Sequence, residues 1–246
     1  MKILGIDVGG SGIKGAIVDT DLGELVTEKF RLKTPRPAKP EAVAKVVHQL
    51  VDHFNWKGKV GVGFPTPLAH GKCMSGGNLH KKWKGVQVDE LFSETTGLKF
   101  TVINDADAAG EAEMHYGAGK GKQGLVAVIT LGTGIGSGLF YDGVLIPNTE
   151  LGHTVFKGEA FENFAADSIR KKEDLTYKQW GKRLNKYFKR IELILSPDLI
   201  IIGGGASSKL DKFVDQINVR APIIAAENQN EAGIIGAAVG AFDKVH

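Results

Sequence analysis

The sequence predicts an α/β protein of two related, facing domains with an interdomain cleft, and three observations carry that prediction. Short apolar runs ending in glycine turns alternate with stretches of helical spacing, the pattern of sheets covered by helices. A strand–glycine turn–strand unit at the amino terminus recurs in the middle of the chain. The 33 glycines among 246 residues cluster at a few places, as tight turns require and disordered segments do not.

Lys2 to Asp7 is a β-rich run that stops at a glycine turn; Gly15 to Asp19 resumes as a second strand, and Glu24 to Leu32 adds a third. Pro35, Pro37 and Pro40 mark a loop, the last well placed before a helix. From Glu41 to Phe54 the apolar Val43, Val47, Leu50, Val51 and Phe54 keep helical spacing. Val60 to Phe64 and Phe100 to Ile103 read as strands, the second ending at Asn104-Asp105, and Ala106 to His115 as a helix. A second cycle places a strand over Leu125 to Leu131, a turn at Gly132-Thr133-Gly134 and a returning strand over Gly138 to Tyr141. Trp180, Leu184, Phe188, Ile191 and Leu195 set a helix over Tyr177 to Leu195, which Pro197 stops. Leu199 to Ile202 is an apolar strand running into Gly203-Gly204-Gly205, and Glu231 to Phe242 closes the chain as a helix.

The two cycles align without a gap at an offset of 123 residues: Ile6 falls on Ile129, Val8 on Leu131, Gly9 on Gly132, Gly15 on Gly138 and Asp19 on Asp142. Such internal similarity predicts a duplicated unit. The expected division is a small α/β domain over 1–105, joined by the C-terminal helix at about 233–246, and a large α/β domain over 106–232.

Composition narrows the function classes. A net charge of +3 is too small to point to nucleic acid. MKILGIDVGG carries one lysine and a short apolar stretch, which do not make a signal peptide. No apolar run reaches the roughly 20 residues of a membrane span. Cys73 is the single cysteine, so no intrachain disulfide forms. A cytoplasmic enzyme without membrane or nucleic-acid partners is the expectation.

Asp7-Val8-Gly9-Gly10-Ser11-Gly12 lacks a Cβ at three positions, so its N–H groups can approach an anion closely. Asp7 can hold magnesium through water; a plain hairpin turn with a solvated Asp is the alternative. The second turn, Leu131-Gly132-Thr133-Gly134-Ile135-Gly136, moves the balance toward a clamp for a phosphate chain. Neither turn is the GxxxxGK[ST] loop. Gly203-Gly204-Gly205 follows a buried strand at its carboxyl end, where α/β sheets bind ligands, or it is only a strand-to-helix turn. Asn104-Asp105 offers a carboxylate to accept a hydroxyl proton and an amide to fix a neighbouring hydroxyl, or it caps the next helix. Glu150-Leu151-Gly152-His153 is either a surface loop or an acid and an imidazole poised to pair sugar hydroxyls.

In this order the motifs resemble the ROK sugar-kinase family of the hexokinase, heat-shock-protein and actin superfamily, from about Ile3 to Phe242. IDVGGSGIKGAIVD is similar to that family's first phosphate motif, LGTGIGSGLFYDG to the second, and IIIGGG to the motif near the nucleoside. The resemblance implies two ribonuclease-H-like domains of the actin/hexokinase type, with Asp105 as catalytic base. It implies sugar binding by Asn78, Asn104, Asp105, Glu150, His153 and Glu162. Phosphate binding would fall to Gly9, Gly10, Ser11, Gly12, Lys14, Thr133, Gly134, Gly204 and Gly205, and magnesium to Asp7. Most members follow Glu-x-Gly-His with zinc-binding cysteines; TVFKGEAFENF has none, so no zinc is expected.

GNLHKKWKG, PNTELGH and GAGKGK resemble the family's polyphosphate-using glucokinases, with Asn78, Lys81, Trp83 and Gly85 on their pattern. That resemblance implies phosphoryl transfer from polyphosphate, or ATP, to the 6-hydroxyl of glucose. Lys81, Lys82, Lys84 and Lys120 would form a track for the polyanion, Lys122 reads as solvated, and a homodimer is expected. The neighbouring expectation is an ATP-dependent kinase of glucose, fructose or an N-acylhexosamine. A sugar-sensing regulator without catalysis is disfavoured, because its DNA-binding domain would precede a motif that begins within ten residues of Met1. An actin-like ATPase is opposed by Asn104, Glu150 and His153.

Overall fold

A computed structural model of the chain describes residues 1–76 and 79–243. Asn78 and the helix end beyond 243, both singled out above, lie outside the described residues. The chain forms two compact units: Met1–Ala112 together with the segment from Glu231, and Glu113–Asn230.

The first unit contains strands β1 (Lys2–Val8), β2 (Gly12–Asp19), β3 (Glu24–Leu25) and β4 (Phe30–Lys33), then helix α1 (Pro40–His53) and strand β5 (Val60–Phe64). A small hairpin of β6 (Leu68–Ala69) and β7 (Lys72–Cys73), helix α2 (Val88–Thr96), strand β8 (Phe100–Asn104) and the start of α3 (Asp105–Tyr116) follow. The sheet order is β3-β2-β1-β5-β8, with β4 also paired to β2. β1 runs antiparallel to β2 and parallel to β5, which is parallel to β8. Central parallel strands are covered on both faces, and their sequences show how. Leu4, Ile6, Val8 and Val62 alternate onto one face and pack with Val43, Val47 and Leu50 of α1. The aromatic Phe64, Trp83 and Phe92 meet there edge to face.

The expected third strand over Glu24 to Leu32 is two strands. Thr27 explains the break: its hydroxyl accepts the Ile17 N–H at 3.0 Å, where a continuous ladder would use a backbone carbonyl. The second strand also starts earlier than expected, because Gly12 pairs with Lys33 of β4.

The second unit contains β9 (Leu125–Leu131), β10 (Ile135–Tyr141), β11 (Val144–Ile146), a hairpin of β12 (Val155–Phe156) and β13 (Glu159–Ala160), and helices α4 (Glu162–Ala165), α5 (Asp167–Lys172) and α6 (Tyr177–Leu195). Strands β14 (Leu199–Gly203) and β15 (Ile223–Ala225) complete it. Its order is β11-β10-β9-β14-β15, with antiparallel and parallel pairings in the same succession as in the first sheet. Helix α6 opens with a full capping box between Thr176 and Gln179. It buries Trp180, Leu184, Tyr187, Phe188 and Ile191 against Ile129, Leu131, Ile200 and Ile202.

The duplication is real in topology and inexact in register. β1 and β9 match at the offset read from the sequence. In the returning strands, however, Val8 pairs with Ile13 whereas Leu131 pairs with Ile135. The first turn is therefore one residue longer than the second, and Ser137, not Gly138, is the counterpart of Gly15. A one-residue slip exchanges the two faces of a strand, and the burial of Ile13, Gly15 and Val18 matches that of Ile135, Ser137 and Phe140.

Helix α7 (Ala232–Asp243) returns to the first unit and covers the other face of its sheet. It comes unusually close. A Cβ on Gly61 would lie 1.8 Å from the Ala237 carbonyl oxygen, and one on Gly5 2.2 Å from that of Ile234. Among the described residues no helix is long and apolar enough to cross a membrane.

Candidate active site

In the first unit the parallel strands β1, β5 and β8 end on one edge of the sheet, the edge where such sheets bind ligands. The turn after β1 and the Asn104-Asp105 pair after β8 both lie there. The Gly9 N–H donates to the Gly12 carbonyl at 3.0 Å, closing the turn. Asp7 alternates onto the α7 face; its Oδ2 lies 3.1 Å from the Lys14 Nζ, across the register pair that joins them. The first turn of α7 is beside it, since a Cβ on Gly233 would sit 2.7 Å from the same oxygen.

Arg31 braces this turn from β4. Its guanidinium donates to the Ser11 carbonyl at 3.0 Å and lies within 3.3 Å of the Ser11 hydroxyl. Sequence reasoning missed Arg31. The signal was present in FRLK, where Phe30 and Leu32 alternate with Arg31 and Lys33, so both cations share the face away from the core.

Asn104 is buried, and its Oδ1 accepts the N–H groups of Ala106 at 2.8 Å and Asp107 at 3.2 Å. The capping reading of this residue is thus correct for its oxygen. Asp105 is half-buried and occupies the first position of α3. A carboxylate there is favoured by the helix dipole.

In the second unit Glu150, His153 and Glu162 come together. The His153 Nδ1 lies 3.3 Å from Glu150 Oε2, and its Nε2 lies 3.3 Å from Glu162 Oε1. Burial pushes the Glu150 carboxyl above its ordinary value; His153 opposes the rise and Glu162 adds to it. Glu162 also grips the second glycine turn, because its Oε2 accepts the Ile135 N–H at 3.1 Å. The absence of a side chain on Gly134 makes room for it: a Cβ there would be 2.4 Å from that carboxylate oxygen. Behind Glu162 lies Tyr187, another residue that helical spacing alone hides as a core position. Its hydroxyl is buried with no hydrogen-bond partner among the described residues. Burial, then the Glu162 charge, push its phenol upward.

The rest of the second turn is tied down by α5. Ser168 donates its N–H to the Gly132 carbonyl at 3.0 Å and its hydroxyl to the Thr133 carbonyl at 2.6 Å. Gly204, at φ +74°, turns the chain after β14; a Cβ would meet the Leu131 carbonyl oxygen at 2.8 Å. This places the third glycine motif beside the strand end that feeds the second turn. Gly205 has open space around its Cα.

Lys81, Lys82 and Lys84 are exposed around the short helical turn that buries Trp83, whose indole donates to the Ala38 carbonyl at 2.9 Å. Lys120 is exposed on the Gly117–Lys122 loop. That loop is held by Glu113, whose carboxylate accepts the N–H groups of Ala118, Glu227 and Asn228 at 3.0, 3.0 and 2.7 Å. Among the described residues no group of three His, Cys, Asp or Glu is arranged to hold a metal.

The family model described as the ROK family matches residues 3–172. The chain belongs to the ROK family. Within it, this chain is 48% identical over 244 residues to the polyphosphate glucokinase of Mycobacterium tuberculosis, covering 98% of the chain and 92% of that protein. It is 44% identical over 236 residues to the polyphosphate glucokinase of Mycobacterium leprae, covering 96% and 73%. Among solved structures it resembles the inorganic polyphosphate/ATP-glucomannokinase of Arthrobacter sp. strain KM, at 44% identity and a TM-score of 0.92 over 97% of both chains. A ROK family glucokinase of Streptomyces griseus shares the fold at a TM-score of 0.85 and 21% identity, over 98% of this chain and 99% of that one. The fold is thus the actin/hexokinase type expected from the motifs.

Proposed function

We propose that the chain is a glucokinase that moves the terminal phosphoryl group of inorganic polyphosphate, and also of ATP, to the 6-hydroxyl of glucose. The observation that carries this reading is Glu162: one carboxylate touches both the His153 imidazole of the sugar motif and the backbone of the second phosphate turn. Acceptor recognition and donor recognition meet at that side chain. The names of the relatives supply the donor, since they include polyphosphate glucokinases and a polyphosphate/ATP-glucomannokinase.

In this reading Asp105 takes the proton of the 6-hydroxyl as the oxygen attacks the terminal phosphorus. The bond from that phosphorus to its bridging oxygen breaks, and the donor leaves one phosphate shorter. Asn104 spends its oxygen on the α3 cap, so its amide nitrogen is the group offered to a sugar hydroxyl. Glu150, His153 and Glu162 hold other hydroxyls, and Asn78 completes that set. The turns at Gly9, Gly10, Ser11 and Gly12, with Lys14, and at Thr133 and Gly134 hold phosphates; Gly204 and Gly205 serve the nucleoside end when ATP is used. Lys81, Lys82, Lys84 and Lys120 meet the polyanion. Phosphoryl transfer depends on positioning and charge stabilisation, which are what these groups provide.

Asp7 fits magnesium in donor chemistry. It is a hard carboxylate oxygen at a strand end, and magnesium is commonly held by one or two carboxylates with waters and substrate phosphates. Bound there, the ion would neutralise charge on the transferring phosphates. Magnesium use, a cytoplasmic setting and a homodimer belong to the same proposal and rest on family resemblance.

The decisive experiment is a glucose-6-phosphate assay with polyphosphate and ATP supplied separately. Product from polyphosphate is expected. Product from ATP alone makes the chain an ATP-dependent hexose kinase, and product from neither removes the kinase reading.

A further inference from the structure

Charge is unevenly spread on this chain. The whole carries +3, whereas α6 alone holds Lys178, Lys182, Arg183, Lys186, Lys189 and Arg190 against a single acid, Glu192. With one face of α6 buried, the helical repeat gathers Lys178, Lys182, Lys186, Lys189 and Arg190 on the exposed side. At 1.5 Å per residue the row is about 18 Å long.

Its neighbours leave the row uncompensated. Glu192 turns to the backbone N–H groups of Arg220 and Ala221. Arg183 leans aside to pair with Glu173 at 2.6 Å and to lie over the Phe164 ring at 4.6 Å. Among the described residues no carboxylate pairs with Lys178, Lys182, Lys189 or Arg190.

The row also begins close to the second phosphate turn. Ser168 of α5 is bonded to Gly132 and Thr133 of that turn. Two residues on, Arg170 lies 4.5 Å over the ring of Tyr177, the first residue of α6, and Lys212 lies 5.5 Å over the same ring. Lys178 then starts the row. Asp167 fixes α5 in place: burial pushes its carboxyl up, but hydrogen bonds and charge from Lys171 and Arg170 outweigh this and hold it below its ordinary value.

We propose that the exposed face of α6 binds the distal part of a polyphosphate chain whose reacting end lies at the second glycine turn. The inference rests on the donor reading above. A row of like charges repels itself, and an extended polyanion relieves that repulsion along its whole length. Each exposed contact is weak alone, but linked contacts reinforce one another. A triphosphate is too short to bridge several cations along a row of about 18 Å, so the site discriminates donors by length.

The test compares wild type with the triple variant Lys178→Glu, Lys182→Glu, Lys189→Glu. A neutral Gln triple at the same positions retains helix propensity and guards against misfolding. Initial rates are measured with long-chain sodium polyphosphate, tripolyphosphate and ATP, and circular dichroism checks the fold. The KM for long-chain polyphosphate should rise about ten-fold in the Glu triple and about three-fold in the Gln triple. The kcat, the KM for glucose and the use of the two short donors should stay within about two-fold. Added salt should shrink the difference, since exposed charges are screened over about 8 Å at physiological ionic strength. An unchanged KM for long-chain polyphosphate in both variants overturns the inference, and so does an equal rise for tripolyphosphate. Loss of oligonucleotide binding with polyphosphate use intact overturns it in favour of a nucleic-acid surface. If wild type makes no glucose 6-phosphate from polyphosphate, the donor reading falls and takes the inference with it. Polyphosphate use by wild type with indifferent variants removes the inference alone.

Discussion

At the scale of single residues, the proposed chemistry separates cleanly from stability. Asp105→Asn keeps the shape of the first residue of α3 but removes its basicity. Turnover should fall about 10²–10⁴-fold with the fold and most glucose binding retained, as initial rates, circular dichroism and glucose titration would report. Near-normal turnover would take Asp105 out of the mechanism. Glu150 behaves differently, because its environment disfavours its charge. The folded chain holds this proton more tightly than the unfolded chain does. Its contribution therefore favours folding below the ordinary carboxylate value and is lost as pH rises through the raised value. The Tm of Glu150→Gln relative to wild type should accordingly improve as pH rises through that window, while glucose binding weakens. A Tm difference that stays flat with pH would contradict this. The glycine motifs, the Asn-Asp pair and the Glu-x-Gly-His motif were legible because each is a contiguous word. Tyr187 was not, since what matters about it is a buried neighbour distant in sequence, and the FRLK alternation gave Arg31 a face but not the Ser11 carbonyl that it reaches.

At the scale of elements, α6 shows most directly how sequence becomes structure. Its apolar residues recur with the helical period, Thr176 and Gln179 close its first turn, and Ser196 in the left-handed region before Pro197 ends it. Both bounds were readable. Thr176→Ala removes the hydroxyl that accepts the Gln179 N–H at 3.2 Å. It should cost about 1 kcal/mol, seen as a Tm lower by about 2–4 °C. An unchanged Tm, with the first turn of α6 still protected from hydrogen exchange, would show that packing alone holds that end. Elements made by exchange between distant segments were harder to read. The break between β3 and β4 depends on a hydroxyl of Thr27 reaching across to Ile17, and nothing local announces it. The short α4 and α5 owe their place to Glu162 and Ser168 gripping the second turn, which spacing does not reveal.

At the scale of the whole molecule, the missing cysteine cluster and the retained Asp7 lead to one expectation about metal. Purified protein should hold no stoichiometric zinc, and its activity should need added magnesium and stop with a chelator. Elemental analysis finding one zinc per chain, or full activity in the chelator, would contradict it. The duplication was visible as an ungapped offset, which β1 and β9 keep and the returning strands β2 and β10 miss by one residue. The single-residue difference between the turns was not visible, because Gly138 and Asp142 happen to repeat the letters of Gly15 and Asp19 at the ungapped offset and so mask the shift. That difference accompanies a second one in how the turns are braced. The turn after β1 is held by a guanidinium from Arg31, and the turn after β9 by a carboxylate from Glu162. Two copies of one hairpin have thus acquired opposite electrical characters. Two equal turns would greet any guest alike; this divergence gives the proposed chemistry a polarity, with a cation behind the first phosphate turn and, behind the second, a carboxylate that can also accept from a hydroxyl of the acceptor.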